Sequence, residues 1–475
     1  MNGADLLIVG GGPAGLTAAL DAARSGHQVV LADAADELGG MSSSRTVAGV
    51  RVDLGSHRLH PVATPRVEML LTELLGSDLQ RRERHGRLRL GDAWVGFPLR
   101  PIDLARSLPP SFAARALGDS ALRPIRRLRT TRRSTEAADT FASVVRDGLG
   151  PTMLDSFYGP YARKLWGRAP EDLAGDIARR RIAASSPGRL LAKVARAARG
   201  TPVTFRYPRL GYGQVVERLV EACVEAGVEL RTSTRIVGLD VSGTEPTASF
   251  GAVSPAAAAA EVPSERFARI GWSVALTALT GVVSNAPCEP PPVTVTHRAM
   301  VLLYLVFDGA SITDFDAHYL PGLDELATRV SEPRNYRDGP DPDGVTVLCA
   351  EVPCFVGDDR WCADPADLAD RVLEDLYRLG VTARRHRETH AEYLPHVYPV
   401  IGPTDVDALA AAQNWGHSLP GVTVFGRQGL TVADNLHHVM EMGLAASSRL
   451  HPDGRWDGDG WARDLAAFEQ HVVED

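Results

Sequence analysis

Four apolar residues, Leu6-Leu7-Ile8-Val9, run directly into Gly10-Gly11-Gly12-Pro13-Ala14-Gly15, and a stretch with small residues at Ala18, Ala19 and Ala22 follows. A strand that breaks on glycines and restarts as a helix leaves a chain few folds to choose from: it opens a doubly wound α/β sheet. Each glycine has its own physical reason. Gly10 permits the tight turn, Gly12 lets the backbone come close to a pyrophosphate, and Gly15 lets the helix pack closely. Pro13 and Ala14 stand at the helix start, whose N-terminus stabilises negative charge. A glycine pattern alone is weak, but here the preceding strand and following helix supply the context it needs.

The next strand, His27 to Leu31, leads to Asp33. A carboxylate at this distance from the glycines accepts the ribose hydroxyls of an adenosine, the alternative being a plain turn residue, as Asp36 is read. An acid here also disfavours a 2′-phosphate, so NADP is not expected. Leu38-Gly39-Gly40-Met41-Ser42 comes next, then Val52-Asp53-Leu54-Gly55-Ser56-His57-Arg58-Leu59-His60. The double glycine lets a loop lie against the pyrophosphate and flavin side of a dinucleotide, which points to FAD rather than NAD. Far along the chain, Val422-Thr423-Val424-Phe425 runs into Gly426-Arg427 and then a helix from about Asn435 to Leu450. The two ends therefore read as halves of one cofactor site.

At these residues the sequence resembles the FAD-dependent superfamily that contains flavin amine oxidases, protoporphyrinogen oxidase, phytoene desaturases and UDP-galactopyranose mutase. Tyr161-Ala162-Arg163-Lys164-Leu165-Trp166-Gly167 is similar to the Y-x-x-K-x-W-G segment of the protoporphyrinogen-oxidase-like and mutase branch. Tyr207-Pro208-Arg209-Leu210-Gly211-Tyr212-Gly213-Gln214 is similar to its P-x-x-G-Y-x-Q turn, Arg329-Val330-Ser331-Glu332 to its R-x-x-E segment, and Gly426-Arg427-Gln428-Gly429 to the G-R-x-G that closes over the flavin. Gly55-Ser56-His57-Arg58-Leu59-His60 resembles the mutase's G-P-H-x-F-H.

The resemblance implies a cofactor set of Gly10, Gly12, Pro13, Ala14, Gly15, Asp33, Gly39, Gly40, Met41, Ser42, Gly55, Ser56 and His57. It adds Gly426 and Arg427 through their main chain, Ile236 touching the adenine through its backbone, and Asn435 at the start of the last helix. It also implies that His57 or His60 faces the flavin ring, either relaying a proton or only positioning the cofactor. Trp166 is expected on the substrate-pocket wall, the alternative being an ordinary core tryptophan. Arg181 and Arg329 are candidates for gripping an anionic group, because guanidinium presents a bidentate fork.

With 475 residues the chain has room for two or three domains. The expected fold is α/β: a Rossmann-like, glutathione-reductase-type FAD-binding domain built from discontinuous segments, a mixed-sheet substrate domain and a helical insertion. The boundaries read as 1–75, 205–290 and 396–475 for the FAD-binding domain, 76–204 for the helical insertion and 291–395 for the substrate sheet. Residues from about Pro61 to Gly200 show amphipathic stretches, an arginine-rich run from Arg123 to Arg133 and few strand signals. An alanine-rich stretch between Pro255 and Pro263 reads as a surface loop.

A net charge of −8 argues against a general nucleic-acid binder. The five cysteines lack metal-ligand spacing, so no metal is expected, and reduced thiols suit a cytoplasmic protein. No window approaches the length of a membrane span, and the N-terminal apolar run reads as a strand rather than a signal. The composition leaves oligomeric state open.

The leading expectation is an oxidoreductase of oxidase, dehydrogenase or desaturase type, in which a small-molecule substrate carbon gives a hydride to flavin N5, with arginine-for-lysine usage hinting at a specialised bacterial pathway. Lysine occurs only at positions 164 and 193, and the apolar run from Met300 to Phe307, where the amine-oxidase branch commonly places a lysine near N5, has none. Ordinary amine oxidation is therefore disfavoured. One alternative is a sugar-nucleotide mutase using reduced FAD, although the tyrosines that follow its G-R-x-G are replaced here by Thr431, Val432 and Ala433. Another is a non-catalytic flavin-holding partner protein.

Overall fold

The computed structural model describes residues 5–98, 106–121, 139–181, 203–252 and 263–473. β1 (Leu6–Val9) lies at the centre of a five-stranded parallel sheet, with β2 (Val29–Ala32) on one side and Arg269–Trp272 on the other. Glu229–Arg231 extends the sheet beyond β2, and Val422–Val424 beyond Arg269–Trp272. All four residues of β1 and of β2 are buried, as expected for strands covered on both faces. Stretches from the beginning, middle and end of the chain thus build one sheet, which is the discontinuous Rossmann-like layout the two-ended glycine pattern anticipates.

α1 (Pro13–Arg24) begins one residue after Gly12 and packs against the last long helix but one, α2 (Leu436–Ser448). The two backbones come close because α2 carries Gly443 at the crossing. A Cβ there would stand 2.4 Å from the carbonyl oxygen of Ala14 and 3.1 Å from the nitrogen of Ala18.

A second, seven-stranded mixed sheet is ordered Glu388–Val400, Thr296–Asp308, Val345–Cys354, Arg329–Ser331, Ala317–Tyr319, Gly86–Leu90, Ala93–Phe97. Thr296–Asp308 is its spine, buried from Arg298 to Phe307 between two antiparallel neighbours. Helix Pro365–Arg378 covers one face of this sheet through Leu368, Val372, Leu373 and Leu376. The other face meets the helices around Phe141, Leu154, Leu165 and Trp166.

The stretch read as a mainly helical insertion is corrected at its start. Leu79–Glu83, Gly86–Leu90 and Ala93–Phe97 are strands, and the latter two join the second sheet. In Gly86–Leu90 the leucines are buried and the arginines half-buried in strict alternation. That is a period of two, and in so short a run an arginine-leucine mixture is easily taken for an amphipathic helix. The arginine-rich run 123–133 and the alanine-rich stretch 255–262 lie outside the described residues. No helix among the described residues is long and apolar enough to cross a membrane.

The crossing of α1 and α2 gives a direct stability test. Gly443→Ala forces a methyl group onto the Ala14 carbonyl and is expected to cost about 1–3 kcal/mol, read as a lowered denaturation midpoint. An unchanged midpoint would contradict the close packing.

Candidate active site

A cavity of about 1490 Å³ has walls drawn from both sheets. Ligand pockets usually span about 300–1,000 Å³, so this one has room for a dinucleotide with a second molecule beside it. At the glycine end, Gly10 holds φ +107°, and a Cβ on it would strike Ser273 Oγ at 2.5 Å. Gly15 is packed tighter still, its Cβ position 1.9 Å from the Gly10 oxygen.

Gly12 is the opposite case: a Cβ there meets nothing within 4 Å, and one on Gly40 meets only the Gly12 Cα at 4.0 Å. Gly12 and Gly40 therefore face the same open space, which side chains would fill, and it lies at the N-terminus of α1 where negative charge is stabilised. Beside it, Asp33 accepts hydrogen bonds from the Gly11 N–H (2.5 Å) and the Ala35 N–H (2.7 Å), so its carboxylate is held in the cavity wall. The open space at a helix N-terminus is chemically suited to the pyrophosphate of a dinucleotide.

Of the other residues singled out from sequence, Gly10, Pro13, Ala14, Gly39, Met41, Ser42, Ser56, His57, His60, Arg181, Arg329, Arg427 and Asn435 line the same cavity. Gly15, Gly55, Gly426, Ile236 and Trp166 do not. Gly15 and Gly426 lie beneath the wall; Gly426 has φ +79°, and its Cβ position is 3.0 Å from the Ala14 Cβ. Ile236 is buried beside a bulge in its strand.

Trp166 is a correction. Its side chain is 2% exposed and packs with Phe141, while Tyr161 and Leu165, one turn apart on the same helix, face the cavity instead. Sequence identified the helix but not the face. Trp166 backs the cavity wall from behind, through its ring contacts with Tyr161 and Tyr398 and through Arg181, whose guanidinium lies 5.1 Å over its ring and 4.8 Å over that of Tyr398.

The centre of the cavity is organised by a residue the sequence reading missed. Glu351 accepts from the Ser56 N–H at 2.8 Å and from Arg329 through both oxygens at 2.9 Å. A lone carboxylate inside the apolar run Val345 to Val352 was the available signal, because such a group needs partners to be buried. His57 stacks on Tyr212 with ring centroids 4.7 Å apart. Its Nε2 donates to the Leu54 carbonyl at 2.9 Å, which leaves Nδ1 unprotonated. Burial holds its pKa below the ordinary value, offset only in part by Asp53, so the ring is a neutral imidazole at neutral pH.

Arg427 is half-buried and bridges two carbonyls, Asp434 at 3.0 Å and Val397 at 2.8 Å, fixing the turn after Val422–Val424 to the edge of the second sheet. His60 Nδ1 bonds the Val62 carbonyl at 2.8 Å, and its ring stacks on His437. His437, His438 and His471 continue the stack at 3.9 and 4.1 Å. Asp434, His438 and His471 bring donor atoms within 4.8 Å of one another. The carboxylate is nevertheless already held by His471 at 2.6 Å and Arg180 at 3.2 Å, and the arginine charge opposes a cation.

A doubly wound parallel sheet joined to a mixed sheet across a shared cavity is a fold that this chain shares with several solved structures. A family model described as an NAD(P)-binding Rossmann-like domain matches residues 8–74. Over 83 residues the chain is 37% identical to a Mycobacterium tuberculosis protein named as a flavin-containing monoamine oxidase, AofH. That stretch is 18% of this chain and 18% of the relative, so the chain matches under a fifth of the relative's length. Among solved structures, reduced UDP-galactopyranose mutase aligns over 99% of this chain and 100% of its own, with a TM-score of 0.77 at 16% identity. A protein named as a protoporphyrinogen oxidase from Exiguobacterium sp. 255-15 aligns over 95% and 100%, with a TM-score of 0.70 at 16% identity. The fold is the one the sequence motifs led us to expect.

The histidine stack predicts an acid sensitivity. Burial first, then neighbouring imidazoles, push His437 down to about 3 from 6.5; burial, partly offset by Asp434, pushes His438 down to about 4. The unfolded chain therefore takes up protons below pH 6.5 that the folded chain refuses, so the stability these groups contribute is present above pH 6.5 and lost as pH falls towards 4. The double variant His437→Gln/His438→Gln is expected to show a shallower fall in melting temperature over that range. Parallel curves for variant and parent would rule this out.

Proposed function

We propose that this chain is an FAD-dependent oxidoreductase that takes a hydride from a carbon of a small-molecule substrate. The observation that carries the reading is one continuous cavity with the Gly12/Gly40 cradle and Asp33 at one end and the His57, Glu351 and Arg329 group beyond it. The flavin-containing relative supports the cofactor. Bound there, FAD supplies a ring that accepts a hydride from substrate.

The chain's own residues divide the remaining work. Asp33 receives the adenosine ribose, and the backbone at Gly12 and Gly40 comes up to the pyrophosphate. Gly426 and Arg427 close the same side, and the N-terminus of α2 behind Asn435 stabilises negative charge on the cofactor. Neutral His57, with Nδ1 unprotonated, accepts a proton or a hydrogen bond without first having to lose one. His60 sits beside it in the same loop. Arg181 and Arg329 orient the substrate, Arg181 backed by Trp166. A cytoplasmic setting accords with five free cysteines.

Amine oxidation through a lysine is disfavoured by where the lysine goes. Lys164 is buried with its Nζ donating at 2.7 Å to the Leu320 and Gly322 carbonyls, and it is absent from the cavity wall. Burial also lowers its pKa to about 7. Lys193 lies outside the described residues.

Two measurements test the reading. Asp33→Ala is expected to weaken FAD binding about tenfold or more with the circular dichroism unchanged; equal affinity would remove Asp33 from the ribose site. Anaerobic titration of the holoprotein with alcohol, amine and saturated-carbon substrates is expected to bleach the flavin with at least one class. A flavin left oxidised by all of them, together with pyranose-to-furanose turnover of UDP-sugars only after reduction, would replace the oxidoreductase by an isomerase.

A further inference from the structure

We infer that the part of the cavity bounded by the second sheet is a subsite for an oxyanion of the substrate, a carboxylate or a phosphate, with Arg84 as its main contact. The inference rests on the reading above that substrate occupies this cavity beside the cofactor.

Three guanidinium groups, those of Arg58, Arg84 and Arg329, line this stretch of wall, and two carboxylates answer them. Arg58 pairs with Asp316 at 3.1 Å, and Arg329 grips Glu351 through two bonds of 2.9 Å. Arg84 has no ion pair among the described residues. Its guanidinium donates to the Tyr319 hydroxyl at 3.2 Å and lies 5.1 Å over the Phe97 ring. The wall therefore carries one positive charge in excess, on a half-buried side chain. A half-buried cation without a counter-charge is open to a ligand that brings the missing charge.

Arg84 is also held in place. Its N–H donates to the Val203 carbonyl at 2.8 Å, where Leu79–Glu83 pairs with Thr204–Pro208. The Tyr319 hydroxyl accepts from Arg58 at 3.1 Å as well as from Arg84, and a hydroxyl polarised by two guanidinium groups is the stronger donor. An oxyanion beside Arg84 and Tyr319 would thus receive one charge-assisted bond and one phenolic bond. Phe97, Val203 and Phe205 flank the position, so the anion is carried on an apolar or aromatic body. Arg329 differs in kind: its charge is already matched by Glu351, so it orients without supplying the excess.

The test uses the holoprotein and four phenyl compounds of similar size: benzoate, phenyl phosphate, neutral benzamide and cationic benzylamine. Binding is read by calorimetry and by perturbation of the flavin spectrum. At least one anion is expected to bind about tenfold or more tightly than benzamide, with benzylamine weakest and the preference reduced by added salt. Preference between benzoate and phenyl phosphate identifies the group the site takes. Arg84→Gln is expected to weaken the preferred anion by about tenfold to a hundredfold, and Arg84→Lys by less. If Arg84→Gln does not fold, Tyr319→Phe gives the same comparison with an expected loss of about twofold to tenfold. Equal affinities for anions and benzamide, no anion binding at millimolar concentration, or a folded Arg84→Gln protein that titrates like the parent overturns the subsite. Should the protein hold no flavin, the function proposed above fails, while the calorimetric comparison of parent and Arg84→Gln still decides the subsite.

Discussion

Asp53 is 4% exposed and has hydrogen-bond partners in three separate stretches of chain. Its side chain accepts from Ser44 Oγ at 2.7 Å, from the Tyr212 N–H at 2.9 Å and from the Tyr207 hydroxyl, and its carbonyl accepts from the Tyr304 hydroxyl at 2.7 Å. One residue thereby joins the hairpin after the double glycine, the turn that starts helix Gln214–Glu225, and the spine of the second sheet. His57 takes its orientation from this arrangement, because the ring it stacks on belongs to Tyr212. A buried donor left without its acceptor costs about 1–3 kcal/mol, so several such costs fall together if this carboxylate is lost.

The glycine turn, Asp33, the double glycine and the Gly426-Arg427 turn were legible because each is a local backbone requirement written in adjacent residues. Their meeting in one cavity follows from the parallel sheet, in which Val422–Val424 and β1 both flank Arg269–Trp272. Side-chain direction was less legible. Tyr161, Leu165 and Trp166 share one helix, and only its packing decides that the first two face the cavity and the third the core. Strand 86–90 was hidden because alternating arginine and leucine over five residues fits either period, and strand 93–97 because Ala-Trp-Val-Gly-Phe is too short a run to show one. Arg84 and Tyr319 were invisible for another reason. They lie 235 positions apart in sequence and meet only through the pairing of Ala317–Tyr319 with Gly86–Leu90.

The seam between the two sheets is polar and shared. Glu351 sits in a strand of the second sheet yet accepts from the Ser56 N–H of the loop after Asp53, while Arg427 reaches from beyond the edge strand of the first sheet to the Val397 carbonyl. A change in what Arg329 contacts therefore acts on the same carboxylate that positions Ser56. The two sides are linked by fixed hydrogen bonds as well as by the apolar contacts of Val50, Val52 and Leu54 with Met300 and Leu302.

The five-stranded sheet takes its central strand from residues 6–9 and an edge strand from residues 422–424, with the helix that crosses α1 later still. During synthesis, the glycine turn leaves the ribosome more than four hundred residues before its covering helix exists. The face of α1 that meets Gly443 thus has no partner until residues 436–448 have been made. A polypeptide that stops short of α2 consequently contains all five strands of the sheet without the helix that crosses α1.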